Sequence, residues 1–317
     1  MVMVGMIELT LAGGDIAMNE KDSYRYHHML EGCRQLASRY SFVTVYEIGR
    51  SVLGRPIIAL RCGRGSRKIH MNASFHANEW ITSALLMRFV GDLSASYAND
   101  EPLRGQEVAE LCREVTLWAV PMVNPDGVEL AQCGVSKSNP LYEQLIAWNG
   151  GSNSFSGWKA NARGVDLNDQ FPAHWDEECK RRGVEGPGPR DYPGPQPLSE
   201  PEALAMASLT ENIGFDAVIA LHTQGREIYW NYRDYEPIEA EMLAKRLGGA
   251  SGYKPVKLSG SDAGYKDWFI QYYRKPGFTV EAGYGENPLP FQNFDHIYME
   301  LQPLLVEALQ IGRHRPS

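Results

Sequence analysis

Four short apolar runs constrain this chain more than any other feature. Lys68 to Ser74 alternates, with Ile69, Met71 and Ala73 on one side, as a half-buried strand does. Val115 to Val123, Asp216 to Leu221 and Gly277 to Val280 are apolar stretches too brief for helices, and read as buried strands. Between them lie spans of helical spacing. Tyr26, Met29, Leu30, Cys33, Leu36, Ala37 and Tyr40 mark a first amphipathic helix, and Leu85, Leu86, Phe89, Val90 and Leu93 a second, running from Asn78 or Glu79 to Tyr97. Phe42 to Ile48 and Pro56 to Cys62 flank a Gly-containing connection and predict a hairpin. Ser199-Glu200-Pro201-Glu202 reads as a capping box before a helix to about Ile213, and a last helix is expected over roughly Phe294 to Gly312. Strands that alternate with helices predict an α/β fold, in which a twisted, mixed, largely parallel sheet carries helices on both faces.

One domain is expected over residues 19–317, preceded by a weakly ordered leader over residues 1–18. The 43% apolar and 22% charged content suits a globular enzyme with a sizeable core. A net charge of −8 supplies no clustered Lys/Arg for phosphate contacts, which excludes a nucleic-acid partner. No uncharged apolar run reaches the roughly 18 residues that a membrane span requires. Met1 to Gly14 has no basic n-region and contains Glu8, which argues against a secretory signal. Five scattered cysteines, Cys33, Cys62, Cys112, Cys133 and Cys179, never form a CxxC pair. A reducing, cytoplasmic location follows as the expectation. From Cys133 to Leu198 the pattern dissolves into Gly, Pro, Asn and Ser, and a loop region this long in a compact domain is usually functional.

The chemistry begins at Ser74-Phe75-His76-Ala77-Asn78-Glu79-Trp80, where a strand ends and a helix starts. His76 and Glu79 can converge at the C-terminal edge of the sheet, where open α/β sheets place ligands. A catalytic zinc takes three protein donors. His222, after the run Asp216 to Leu221, is the best third donor, and Glu281, after Gly277 to Val280, brings a carboxylate to a third strand end. An isolated H-x-x-E is common by chance, and a histidine after an apolar strand is more often a hydrogen-bonded core residue; the shared strand-end position argues for one site.

Together with the turn Asn124-Pro125-Asp126-Gly127 and the segment Gly164-Val165-Asp166-Leu167-Asn168, these motifs resemble the zinc carboxypeptidase family from about Tyr24 to Leu309. That resemblance implies one Zn²⁺ held by His76, Glu79 and His222, with Glu281 as general base. It also implies that Asp166 orients His76 through its second ring nitrogen, a reading favoured over a plain Asx turn at that aspartate. A cation near the oxyanion is implied as well. Alignment puts Lys159 at that position, while the planar fork of Arg163 favours Arg163, which is the expected residue; either could instead only solvate the loop. Where the family has an Asn-Arg pair for a terminal carboxylate, this chain has Asn168-Asp169. The inverted charge would repel a carboxylate and could attract an amino group, unless Asp169 caps a turn and another arginine such as Arg226 binds the carboxylate. No tyrosine occupies Leu258 to Ser261, where many members place a mobile one, and Tyr265 is left out of the site.

The segments Trp158 to Phe171, Gly264 to Phe269 and Gly285 to Pro290 are similar to a bacterial branch of γ-D-glutamyl-L-diamino acid endopeptidases. The implied substrate is a peptidoglycan stem peptide cut between γ-D-Glu and meso-diaminopimelate, with Asn168 and Asp169 at the substrate. Without cell-wall-binding repeats or a signal, recycled muropeptides are the expected source. An ordinary metallocarboxypeptidase acting on α-linked peptides is the alternative.

Overall fold

The computed structural model describes residues 7–8 and 23–313. Of the expected leader, only Ile7–Glu8 is described; it forms a short strand, β1, paired antiparallel with Glu47 and Tyr46. The chain continues through α1 (Tyr26–Arg39), the hairpin β2 (Val43–Arg50) and β3 (Pro56–Gly63), then β4 (Arg67–Ala73) and α2 (Ile81–Asn99). A two-residue pair β5 (Pro102–Leu103) and β6 (Gln106–Glu107) leads to α3 (Val108–Glu114), β7 (Val115–Val120), α4 (Pro125–Cys133), α5 (Tyr142–Trp148) and α6 (Trp175–Arg182). The remainder is α7 (Pro201–Ile213), β8 (Ala217–His222), β9 (Glu227–Tyr229), α8 (Ala240–Ser251), β10 (Lys254–Val256), α9 (Tyr265–Tyr273), β11 (Gly277–Glu281) and α10 (Phe294–Ala308).

Nine strands form one sheet in the order β1-β2-β3-β7-β4-β8-β11-β9-β10. Its centre, β7-β4-β8-β11, is parallel, and antiparallel pairs flank it at β2–β3, β3–β7 and β11–β9. Every residue of β7 and β8 is buried, which explains why both read as continuous apolar runs rather than alternating ones. One face packs Met29, Leu85, Phe89, Leu247 and Leu305 from α1, α2, α8 and α10. The other packs Met206 and Leu209 from α7 and Trp268 and Phe269 from α9. The mixed sheet with helices on both faces is the expected architecture. After β4 the chain moves to β7 on one side and to β8 on the other, so the order reverses beside β4 and opens a crevice at the carboxyl ends of β4 and β8.

Three local expectations change. Asn124-Pro125-Asp126-Gly127 does not close a turn: Asn124 caps α4, accepting from the Gly127 N–H at 3.0 Å, with Pro125 in the first turn. Ser199 does not cap α7; Glu200 holds that position without a side-chain cap, because its carboxylate is drawn to Asn161 at 2.7 Å instead. The supposed loop from Cys133 to Leu198 contains α5 and α6, helices of seven and eight residues whose periodicity is too short to register. Its first part is tied down by Leu130, Leu145, Phe155 and Trp158 packed on Ala77.

Candidate active site

Strand β4 ends at Ala73, and Ser74 adopts a left-handed φ of 53° that turns the chain sharply into the crevice. A non-glycine residue holds that conformation only where its surroundings impose it. Here the Ser74 N–H donates to Thr82 Oγ1 at 3.0 Å, and its hydroxyl lies 2.7 Å from Ser83 Oγ. His76 follows, and a single 3-10 turn, Ala77–Glu79, brings Glu79 back beside it before α2 begins. His222 closes β8, and in the parallel register Glu281 of β11 lies directly opposite His222.

The side chains of His76, Glu79 and His222 meet at one point. His76 Nδ1 is 2.8 Å from Glu79 Oε1, His222 Nδ1 is 3.0 Å from Glu79 Oε2, and the two Nδ1 atoms are 3.2 Å apart. Two imidazole nitrogens that close either share a hydrogen bond or ligate a common cation. Donors held about 2.0–2.1 Å from a tetrahedral ion are roughly 3.3 Å apart, so the set fits zinc in both chemistry and spacing. The second nitrogen of His76, Nε2, is 3.1 Å from Asp166 Oδ1, the contact that fixes tautomer and ring orientation in metal sites. The Thr223 N–H donates to Glu79 Oε2 at 3.1 Å and fixes the carboxylate. Thr223 is itself held by a reciprocal pair of 2.8 Å hydrogen bonds with Asn287.

Burial and charge set the electrostatics. Burial opposes ionisation of Glu79, but His76 and His222 hold its carboxyl well below the usual range. Burial likewise works against a charged His76, yet Glu79 and Asp166 raise it to about 10. Glu281 goes the other way: burial, then the Glu79 carboxylate, push it up to about 8. A second carboxylate stands across the ladder, since Glu227 of β9 pairs in register with Glu281 and accepts from the Tyr229 hydroxyl at 2.8 Å.

Two expected residues stand differently. Arg163 is about half exposed, at 51%, and points to Glu200 at 3.6 Å. Lys159 instead reaches the cluster, its Nζ 3.6 Å from Glu79 Oε1. The reason lies in the backbone: Asn161 Oδ1 accepts from the N–H groups of Arg163 and Val165, at 2.9 and 3.1 Å, and this turn carries Arg163 away. Asp169 does not face substrate with a free carboxylate. It is 1% exposed, and Arg182 of α6 engages both of its oxygens, Nη2 to Oδ1 at 2.9 Å and Nε to Oδ2 at 2.8 Å. Asn168, half-buried, donates its N–H to Asp166 Oδ1 at 3.1 Å. Arg226 lies outside the cluster, in an ion pair of 2.7 Å with Glu300. Tyr265 is fully buried, with its hydroxyl 2.7 Å from Thr210 Oγ1.

Asn124 escaped the sequence reading as a site residue. Besides capping α4, its Nδ2 donates to Phe75 O and Ala160 O, each at 3.1 Å, and so ties the segment before His76 to the loop bearing Lys159. The Ala77 N–H donates to Lys159 O at 2.9 Å across the same seam. An asparagine before proline with glycine three residues on is a helix-cap signal, and it could have revealed α4 but not these tethers.

Residues 29–292 match the zinc carboxypeptidase family. A relative from Lysinibacillus sphaericus, γ-D-glutamyl-L-diamino acid endopeptidase 1, is 48% identical over 93% of this chain and 74% of its own length. Human carboxypeptidase B2 is 24% identical over 83% of this chain and 65% of its own. Among solved structures, bovine thrombin-activatable fibrinolysis inhibitor superposes with a TM-score of 0.70 at 20% identity, covering 92% of this chain and 97% of that one; this likeness concerns the fold.

Proposed function

The chain belongs to the zinc carboxypeptidase family of metallopeptidases, and on that premise we propose that it hydrolyses the bond between γ-D-Glu and meso-diaminopimelate in peptidoglycan stem peptides. The observation that carries the hydrolytic reading is the convergence of His76, Glu79, His222 and Glu281 at the carboxyl ends of neighbouring parallel strands. The γ-D-glutamyl-L-diamino acid bond follows the name of the 48%-identical relative, and diaminopimelate as the diamino acid is this proposal's own specification.

His76, Glu79 and His222 would hold zinc, which when bound would supply Lewis acidity to a coordinated water and a carbonyl. Asp166 orients His76, and the Thr223 N–H orients Glu79. Glu281 takes a proton from the attacking water and returns it to the leaving amine. Burial raises this carboxyl, which favours its holding the proton between the two transfers. Lys159, rather than Arg163, faces the negative charge that develops on the carbonyl oxygen. Its point charge replaces a planar fork, so it stabilises that charge without fixing its orientation.

The substrate is a peptidoglycan-derived peptide in solution. Among the described residues no helix is long and apolar enough to cross a membrane. Cys33, Cys62 and Cys112 are buried thiols outside any disulfide, which supports a reducing cytoplasm and recycled muropeptides as the setting.

Defined tri-, tetra- and pentapeptide stems, with products identified by mass, test the reading. Cleavage after γ-D-Glu is expected in all three; release of only the terminal residue from the tetra- and pentapeptides, with the γ-D-Glu bond left intact, would make the chain an ordinary carboxypeptidase. Glu281→Gln is expected to keep one zinc per chain while kcat falls roughly 10²–10⁴-fold.

A further inference from the structure

The sequence reading gave Asp169 the task of meeting the distal amino group of the diamino acid, and Arg182 has taken that carboxylate out of play. We propose that Arg190 and Asp191 form the subsite for this end of the substrate, with Asp191 receiving the ammonium and Arg190 the carboxylate borne on the same carbon. This assignment rests on the diaminopimelate reading above.

Placement is the first argument. The segment 188–192 runs along the loop 159–166, whose two ends both touch the catalytic cluster. Pro189 O accepts from the Lys159 and Ala160 N–H groups at 2.8 and 3.0 Å, the Gly188 N–H donates to Gly164 O at 3.0 Å, and Tyr192 O accepts from the Asp166 N–H at 2.8 Å. The Asp191 N–H donates to Asp166 Oδ2 at 3.3 Å, and the other oxygen of Asp166 holds His76. Arg190 and Asp191 thus stand between the points where this segment meets Lys159 and Asp166.

The second argument is availability. Asp166 and Asp169 are each 1% exposed, whereas the side chains of Arg190 and Asp191 are 56% and 30% exposed. Their mutual contact, Nε to Oδ2 at 3.3 Å, is an ion pair open to solvent, which contributes little and exchanges readily for a ligand. Asp191 is nevertheless held in place. Its backbone is left-handed, at φ 67°, and Oδ1 is fixed by Arg182 Nη1 at 2.8 Å, with Arg182 itself locked by Asp169 and by Glu178 at 2.7 Å. A fixed acceptor beside a freer fork is pre-organised for one ligand geometry.

The third argument is chemical fit. An amino-acid end places ammonium and carboxylate on one carbon, and adjacent residues of opposite charge 3.3 Å apart mirror that arrangement. Lysine in the same peptide offers the ammonium without the carboxylate. The two residues therefore make separable contributions.

The experiment compares kcat/KM on L-Ala-γ-D-Glu peptides ending in meso-diaminopimelate, in its distal carboxamide, and in L-lysine. For Arg190→Gln, a roughly 10- to 100-fold loss is expected on the diaminopimelate peptide and less than about twofold on the other two. Asp191→Asn keeps the left-handed backbone, which asparagine tolerates, and is expected to lose comparably on all three, since each carries the ammonium. Equal losses on the three peptides for Arg190→Gln, or no loss, would overturn the assignment. Affinities of the same peptides for the Glu281→Gln protein read the subsite without turnover. Selective binding without hydrolysis by the unaltered enzyme would leave the subsite standing and remove the proposed reaction.

Discussion

Asn124 offers the sharpest test of how this site is held together. It is fully buried and makes three well-formed hydrogen bonds: one caps α4, and two reach the carbonyls of Phe75 and Ala160. Truncation to alanine removes the cap, at a cost of about 1 kcal/mol. It also leaves two buried carbonyls unmet at about 1–3 kcal/mol each, for a total of about 3–7 kcal/mol. With an unfolding entropy of about 2.1 cal/mol/K per residue, a chain of this length loses about 6 °C in Tm for about 4 kcal/mol. Asn124→Asp separates the two roles. The carboxylate still caps α4, and the helix dipole favours it, but both donors to Phe75 and Ala160 become acceptors facing acceptors. Asn124→Asp should therefore fall at least as far as Asn124→Ala, measured by calorimetry with zinc content matched, and kcat should drop about tenfold as Lys159 loses its registration. A Tm for Asn124→Asp within about 1 °C of the parent would refute the reasoning, because it would show that the cap alone accounts for Asn124.

The remaining predictions concern neighbouring groups. Lys159→Gln should lower kcat roughly 10²-fold, whereas Arg163→Gln should change it less than about twofold; the reverse ranking in steady-state assays would restore the arginine. Gly127→Ala would place a Cβ 2.6 Å from Ala160 O and equally close to the side chain of the Asn124 cap, so proteolysis within the 159–166 loop should accelerate and the loss of the cap should outweigh the gain of a better helix former in α4. Burial, partly offset by the Val52 N–H, with Asp126 adding repulsion, raises Glu202 to about 7 from its ordinary 4.5. A carboxyl raised in the folded state favours folding fully below its unfolded pKa, and that contribution is lost as pH climbs through the folded value. Thermal stability should thus fall between pH 4.5 and about 7 on this account, and Glu202→Gln should flatten that part of the curve; an unchanged slope would remove Glu202 as its source.

What the sequence determined by itself is the candidate ligand-and-base cluster. His76, Glu79, His222 and Glu281 could be placed because each follows a strand signalled by a short apolar run, because parallel strands deliver their carboxyl ends to one edge, and because few side chains can bind zinc or move a proton there. Local periodicity and donor chemistry suffice for such residues. Lys159, Asn124, Asp169 and the pair Arg190–Asp191 lie where periodicity is lost, or act through atoms contributed by distant segments. Asp169 reads as a free acid because it stands where the resembled family has an arginine; Arg182, thirteen positions on, pairs with it only once α6 folds back over the turn. Arg163 was preferred for its planar fork, yet a single asparagine turn aims it outward and leaves the reach to Lys159. Which charge meets which is fixed by contacts across the chain, and only the tertiary structure brings those contacts into being.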